Sequence, residues 1–104
     1  MSGLREALRD YLELRRSLGY KLEDAGLQLP RFIDFLDTRG ALHITTALAM
    51  EWALQPTAVQ PAEWARRLGG VRGFARYRHA SDPLTEIPPL GLLPHRSMRA
   101  RPYL

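Results

Sequence analysis

Residues 64–82 read "WARRLGGVRGFARYRHASD". Trp64, Leu68, Val71, Phe74 and Ala75 follow one another at i, i+4, i+7, i+10 and i+11, the spacing of one buried stripe on an α-helix. Pro61, just upstream, fits the first turn of that helix, where its missing N–H is no loss. At about 100° per residue the opposite face collects Arg66, Gly69, Gly70, Gly73, Arg76 and Tyr77, with Arg72 on one flank and Arg67 and Arg78 near the other. A glycine inside a helix costs about 1 kcal/mol relative to alanine. Gly69, Gly70 and Gly73 therefore call for a compensating use.

Upstream, every apolar pattern has the helical period. Leu4, Ala7, Leu8, Tyr11, Leu12 and Leu18 predict a first helix ending near Ser17, with Gly19 where a C-cap glycine would stop it. Leu22, Ala25, Leu29, Phe32, Ile33 and Leu36 mark a second, followed by Gly40, with a kink or late start expected at Pro30. Thr45 or Thr46 can N-cap a third, "TALAMEWALQ", whose inward anchors are Leu48 and Trp52. No strand pattern or repeat competes. From Asp82 onward "DPLTEIPPLGLLPHRSMRARPYL" has five prolines and reads as an extended, poorly packed connector. The expected fold class is all-α, a compact bundle of four short helices over residues 1–82 with an extended proline-rich linker over 83–104.

With 104 residues the chain suits one core. It has no cysteine, which removes disulfides and thiolate metal sites, and His43, His79 and His95 share no metal-ligand spacing. The N-terminus "MSGLREALRDYLE" lacks the apolar run of a signal peptide, and no stretch reaches the roughly eighteen apolar residues of a membrane span. A soluble, cytoplasmic chain without membrane contact is expected. Charge is distributed unevenly: residues 1–63 carry seven basic and nine acidic side chains, whereas residues 64–104 carry eight basic and two acidic. All but one of the fifteen basic residues are arginine, whose planar fork suits phosphate and guanine edges.

A helix face of glycine and arginine has two physical uses. It can let a neighbouring helix pack closely, or it can let the helix backbone approach a polyanion while flanking arginines neutralise phosphates. No acid occurs between Glu63 and Asp82, which favours nucleic acid. On that reading Gly73→Leu leaves the fold intact and weakens duplex binding. Arg15 and Arg16 suit the C-terminus of the first helix, and Lys21 leads into the second, where a cation at a helix N-terminus favours an anion. Trp52 and Trp64 keep step with core stripes. Glu6, Asp10 and Glu13, interleaved with Arg5 and Arg9, have the pattern of solvated i, i+4 pairs, and Asp34 and Asp37 are similar. No nucleophile elbow, phosphate loop or metal constellation is present, so no catalytic residue, cofactor or metal is expected. The alternative is an all-α protein-interaction domain that turns its basic face and proline-rich tail to an acidic partner.

The strings "YLELRRSLGYKLEDAGLQLPRFIDFLDTRG", "ITTALAMEWA" and "WARRLGGVRGFARYRHASDPLTEIPPLGLLPHRSMRARPYL" together resemble the N-terminal SAM-like, core-binding domain of tyrosine recombinases of the phage-integrase family. The "RL..VR.FARY…DP.TEIPP.GLLP" pattern is the specific part. The resemblance implies a four-helix bundle that clamps one side of double-stranded DNA during DNA integration and recombination. It places Arg66, Arg67, Arg72 and Arg76, with Gly69, Gly70 and Gly73 between them, toward DNA, and adds Lys21 and Arg31 around the second helix. It also implies that the catalytic arginines, histidine, lysine and tyrosine belong to a second domain beyond "EIPPLGLLP". Tyr103 is not the nucleophile on this reading, and the chain alone is inert and monomeric. Other recombinase protomers are partners when a catalytic domain is present.

Overall fold

Four helices, α1 (Gly3–Ser17), α2 (Glu23–Thr38), α3 (Thr46–Ala53) and α4 (Pro61–His79), carry the chain, and no strand occurs among the described residues. This computed structural model describes residues 3–21 and 23–92. Expectations for Leu22 and for residues 93–104, including His95 and Tyr103, lie outside them. The fold is all-α, as the periodicity predicts.

Helix α4 packs against each of the other three, α2 joins α1 on one side and α3 on the other, and α1 and α3 do not touch. Phe32, Ile33, Leu36, Leu68, Val71, Phe74 and Ala75 meet in the centre, and the Trp52 ring packs on Phe32 at 5.2 Å between centroids. Burying such side chains stabilises the fold by about 1.5–3 kcal/mol each. Pro30 lies within α2 and removes the N–H that would bond the Gly26 carbonyl. The helix nonetheless runs from Glu23 without a late start, because Leu29, Phe32, Ile33 and Leu36 hold it to the core on both sides of the proline.

Two glycines stop helices by the same device. Gly19 (φ +99°) and Gly40 (φ +66°) adopt the left-handed conformation. The Gly19 and Tyr20 N–H groups bond the Arg16 and Arg15 carbonyls, and the Gly40 and Ala41 N–H groups bond those of Asp37 and Leu36. This is a Schellman closure in both cases. The Arg15 guanidinium completes the first by lying 4.1 Å over the Tyr20 ring. The same turn explains why Leu18, in step with the stripe of α1, is 65% exposed: it stands after the last helical residue, where the 3.6-residue period no longer governs direction. Thr45 N-caps α3 by accepting from the Leu48 N–H at 3.2 Å.

The described residues after α4, 80–92, are non-helical, as expected, but they are not loose. Asp82, Thr85 and Pro88 are buried, and Ile87 packs on the core. The Glu86 N–H donates to the Ile44 carbonyl at 2.8 Å, and the Glu86 carboxylate accepts from the Thr46 N–H at 2.8 Å, which supplies α3 with a second cap from a distant part of the chain. His79 Nδ1–H donates to the Thr85 carbonyl at 2.8 Å. Counting prolines predicts a lack of regular structure but says nothing about docking.

Asp82 anchors the start of this segment. Its carboxylate accepts from His43 Nδ1–H at 2.7 Å, Thr85 Oγ1 at 3.0 Å and the Leu84 N–H at 3.2 Å. The His43 hydrogen bond holds the Asp82 carboxyl below its usual value against the opposing pull of burial, and Thr85 and Leu84 add to the depression. The fold thus prefers the ionised form. The resulting stability is present above the unfolded value of about 3.9 and is lost as pH falls through the lower folded one. Asp82→Asn is expected to be about 1–2 kcal/mol less stable than wild type at pH 7. The gap should shrink as pH is lowered from about 4 toward 2. Thermal melts of both proteins across that range check it, and a gap independent of pH would contradict the assignment.

Candidate nucleic-acid interface

The side of α4 turned away from the core shows bare main chain. A Cβ added at Gly70 would meet nothing within 4 Å, and one at Gly69 would meet only Arg72 Nη1, at 3.9 Å. Arg66 and Arg76 are exposed on either side of this turn. Arg66 is ion-paired with Glu63, one turn before it, so the acid at the start of α4 is already engaged. Arg76 has no ion pair among the described residues. Arg72 is half-buried, donating from Nε to the Pro88 carbonyl at 2.9 Å and from Nη2 to the Pro89 carbonyl at 3.1 Å. Burial first, and then the charge of Arg76, push the Arg72 guanidinium down from its usual value. Two like charges thus lie within each other's field, and the partners Arg72 has found are neutral carbonyls.

Three of the residues expected to face DNA are placed differently from Arg76. Arg67 is 8% exposed, with its guanidinium 3.8 Å over the Trp52 ring, Nη2 donating to the Trp52 carbonyl at 2.8 Å and Nη1 to Gln28 Oε1 at 3.1 Å. Its long stem lets the charged end reach across α3 and serve the core. Gly73 is at the seam with α1, because a Cβ there would stand 2.8 Å from Tyr11 Oη. Arg31 is exposed in an open concavity of about 520 Å³ that it lines with Trp52, Gln55 and Arg67, on the opposite flank of α4 from Arg72 and Arg76. Gly69, Gly70, Arg66, Arg72 and Arg76 are brought together, and Arg31 is not among them.

Helix α1 runs antiparallel to α4. Gly3 lies beside Arg78 and Tyr11 beside Gly73 and Phe74, so the last turns of α1 continue toward the turn of α4 that holds Gly69 and Gly70. This brings the exposed Lys21, in the turn after α1, with Arg15 and Arg16, toward the bare end of the α4 face. Arg16 leans on α2, its Nη2 lying 2.9 Å from where a Cβ of Gly26 would be.

Elsewhere several charges are paired across helices. Arg5 bonds Asp34 at 2.7 Å and Asp37 at 2.6 Å across the α1–α2 contact, in place of the local pairs expected along α1, and Arg39 bonds Glu51 and lowers its carboxyl. The i, i+4 expectation failed because α2 offers two carboxylates where α1 meets it. Among the described residues, cations without a carboxylate partner are Arg72 and Arg76 on α4 and Arg15, Arg16, Lys21 and Arg31 outside it.

Over all 104 residues the chain is 55% identical to the protein named "Putative integrase/recombinase y4rB" of Sinorhizobium fredii (strain NBRC 101917 / NGR234), of whose length it spans 33%. This match supports the integrase family. The integrase similarity takes in α1 to α4 and the docked segment alike, because it runs the whole length of the chain. No protein-family model and no solved structure matches the chain. Among the described residues no helix is long and apolar enough to cross a membrane, and no three His, Asp or Glu side chains are grouped to hold a metal ion.

The sequence-based reading missed Tyr11 as a neighbour of the α4 face and the carbonyls of Pro88 and Pro89 as partners of Arg72. A signal for the first was available: a tyrosine in a buried stripe needs an outlet for its hydroxyl, and a glycine in a facing helix supplies one.

Proposed function

We propose that this chain is the core-binding, DNA-binding domain of a tyrosine-type site-specific recombinase, acting on double-stranded DNA in integration and recombination. The reading assigns it no strand cleavage or rejoining, since the described residues bring together no nucleophile, arginine, histidine and lysine around one point. Residues 1–82 with the segment docked on them form the binding unit, and other recombinase protomers are partners of the whole protein.

The observation that carries the proposal is the open turn at Gly69 and Gly70 flanked by Arg76, Arg72 and Arg66, in a helix with no acid after Glu63. Without side chains the α4 backbone can approach a duplex closely, and the arginines meet phosphates at its edges. Arg76 is the foremost contact, because no carboxylate among the described residues competes for it. Arg66 exchanges Glu63 for a phosphate, and Arg72 contributes its field from beneath the Pro88–Pro89 carbonyls. Lys21 extends the basic surface past the end of α1. Arg31 is a separate contact on the other flank, and Arg67 falls outside the DNA-facing set.

The test is the salt dependence of binding to short duplexes. Affinity is expected to fall linearly in log–log form with salt concentration as counterions are released. Arg76→Ala should reduce the slope by about one, with an unchanged melting temperature. Duplex affinity that ignores salt, or a preference for an acidic polypeptide over DNA, would overturn the proposal in favour of a protein-interaction domain.

A further inference from the structure

We infer that Tyr11 passes its phenol hydroxyl through the gap left by Gly73 and donates it to a phosphate oxygen of the DNA backbone. The inference rests on the DNA-binding reading above and adds to it a neutral contact from a different helix.

Tyr11 belongs to the core in every respect but one. It is 7% exposed, and its ring packs on Phe74 at 5.5 Å and on Tyr77 at 5.3 Å between centroids. The hydroxyl ends 2.8 Å from where a Cβ of Gly73 would be, and it has no hydrogen-bond partner among the described residues. The oxygen is not sealed from solvent, so in the free protein it is left to hydration and not to a protein acceptor. Phenylalanine would fill the same stripe, so packing accounts for the ring and not for the hydroxyl at its end.

The direction of the hydroxyl supplies the explanation. Gly73 stands one turn after Gly69 and Gly70 and one turn before Arg76 and Tyr77, within the small-residue stripe of α4. An oxygen aimed at its missing Cβ therefore emerges in the stripe that the arginines flank. There the O–H can donate to a phosphate, a charge-assisted hydrogen bond of the kind that outweighs a neutral one. Any side chain at position 73 would occupy that space. The glycine thus serves a hydroxyl from α1, in addition to sparing the backbone of α4.

The test is Tyr11→Phe in the full 104-residue chain, with duplex affinity measured against salt on several unrelated duplex sequences. The expected result is about tenfold weaker binding on every sequence, with the melting temperature retained. The salt slope should be unchanged, because a neutral donor releases no counterion. This sets it apart from Arg76→Ala. Gly73→Ala should lose both affinity and stability by displacing the oxygen. The double variant Gly73→Ala/Tyr11→Phe should recover the melting temperature and not the affinity. Wild-type affinity in Tyr11→Phe, a loss confined to one sequence, or a lowered melting temperature would each overturn the inference. Absence of duplex binding by the wild type would instead remove the reading on which it rests.

Discussion

Gly73→Leu is expected to unfold about 10 °C below the wild type, although leucine is the better helix former. Leucine gains up to about 1 kcal/mol of helix propensity over glycine. Against this, its Cβ would stand 2.8 Å from Tyr11 Oη, and the rest of the side chain must find room beside a ring already packed on Phe74 and Tyr77. Overfilling a packed site costs about 1–3 kcal/mol, and displacing Tyr11 from its aromatic neighbours forfeits about 0.5–1.5 kcal/mol for each pair. A net loss near 2 kcal/mol corresponds to about 8–16 °C for a domain of this size. This reverses the expectation from the helical period, which counts Gly73 as outward and free. Calorimetry of the variant decides between them: a melting temperature at or above that of the wild type would show that Tyr11 does not hold the position described.

Arg67→Ala should be the most damaging single replacement of an arginine, costing about 3 kcal/mol and leaving the salt slope of DNA binding untouched. The guanidinium covers the Trp52 face and bonds the Trp52 carbonyl and Gln28, and the residue is largely buried. Truncation leaves a cavity against the indole and removes the guanidinium's two hydrogen bonds, although the Trp52 carbonyl keeps the Gln55 N–H. Arg67→Lys should recover little, since an ammonium can neither stack flat on the ring nor reach both acceptors in one plane. Urea melts measure the cost. A variant as stable as wild type with a reduced salt slope would return Arg67 to the DNA-facing set.

These two residues also show where a one-dimensional reading stops. The four helices were legible because each buried stripe repeats at the helical period and because Gly19, Gly40, Thr45 and Pro61 mark ends by local chemistry. Leu68, Val71, Phe74 and Ala75 were legible as core for the same reason. The angular position of a residue does not report the length of its side chain or what stands opposite. Arg67 lies at the edge of the buried stripe, and four methylene-length steps of stem carry its charge to Trp52. Gly73 lies near the middle of the exposed face by period, yet the reach of a tyrosine from α1 makes it a contact. Arg66, Gly69, Gly70 and Arg76, on the same face, were placed by period alone. Docking of the post-helical segment was invisible for a further reason: its anchors at Ile44, Thr46 and His43 are about forty positions away in the chain, and no local spacing encodes them.

That docking fixes where the folding unit can be cut. A protein ended at Asp82 would leave the Ile44 carbonyl without its donor, the Thr46 N–H without Glu86 and the Arg72 guanidinium without either of its acceptors. A fragment carried through Pro89 would keep them all. Seen mechanically, the strap is tied to the bundle as far as Pro89, whose carbonyl Arg72 still holds. On the proposed DNA-binding reading, Arg72 serves two purposes at once: it flanks the surface offered to the duplex and, through the Pro88 and Pro89 carbonyls, ties the strap to α4.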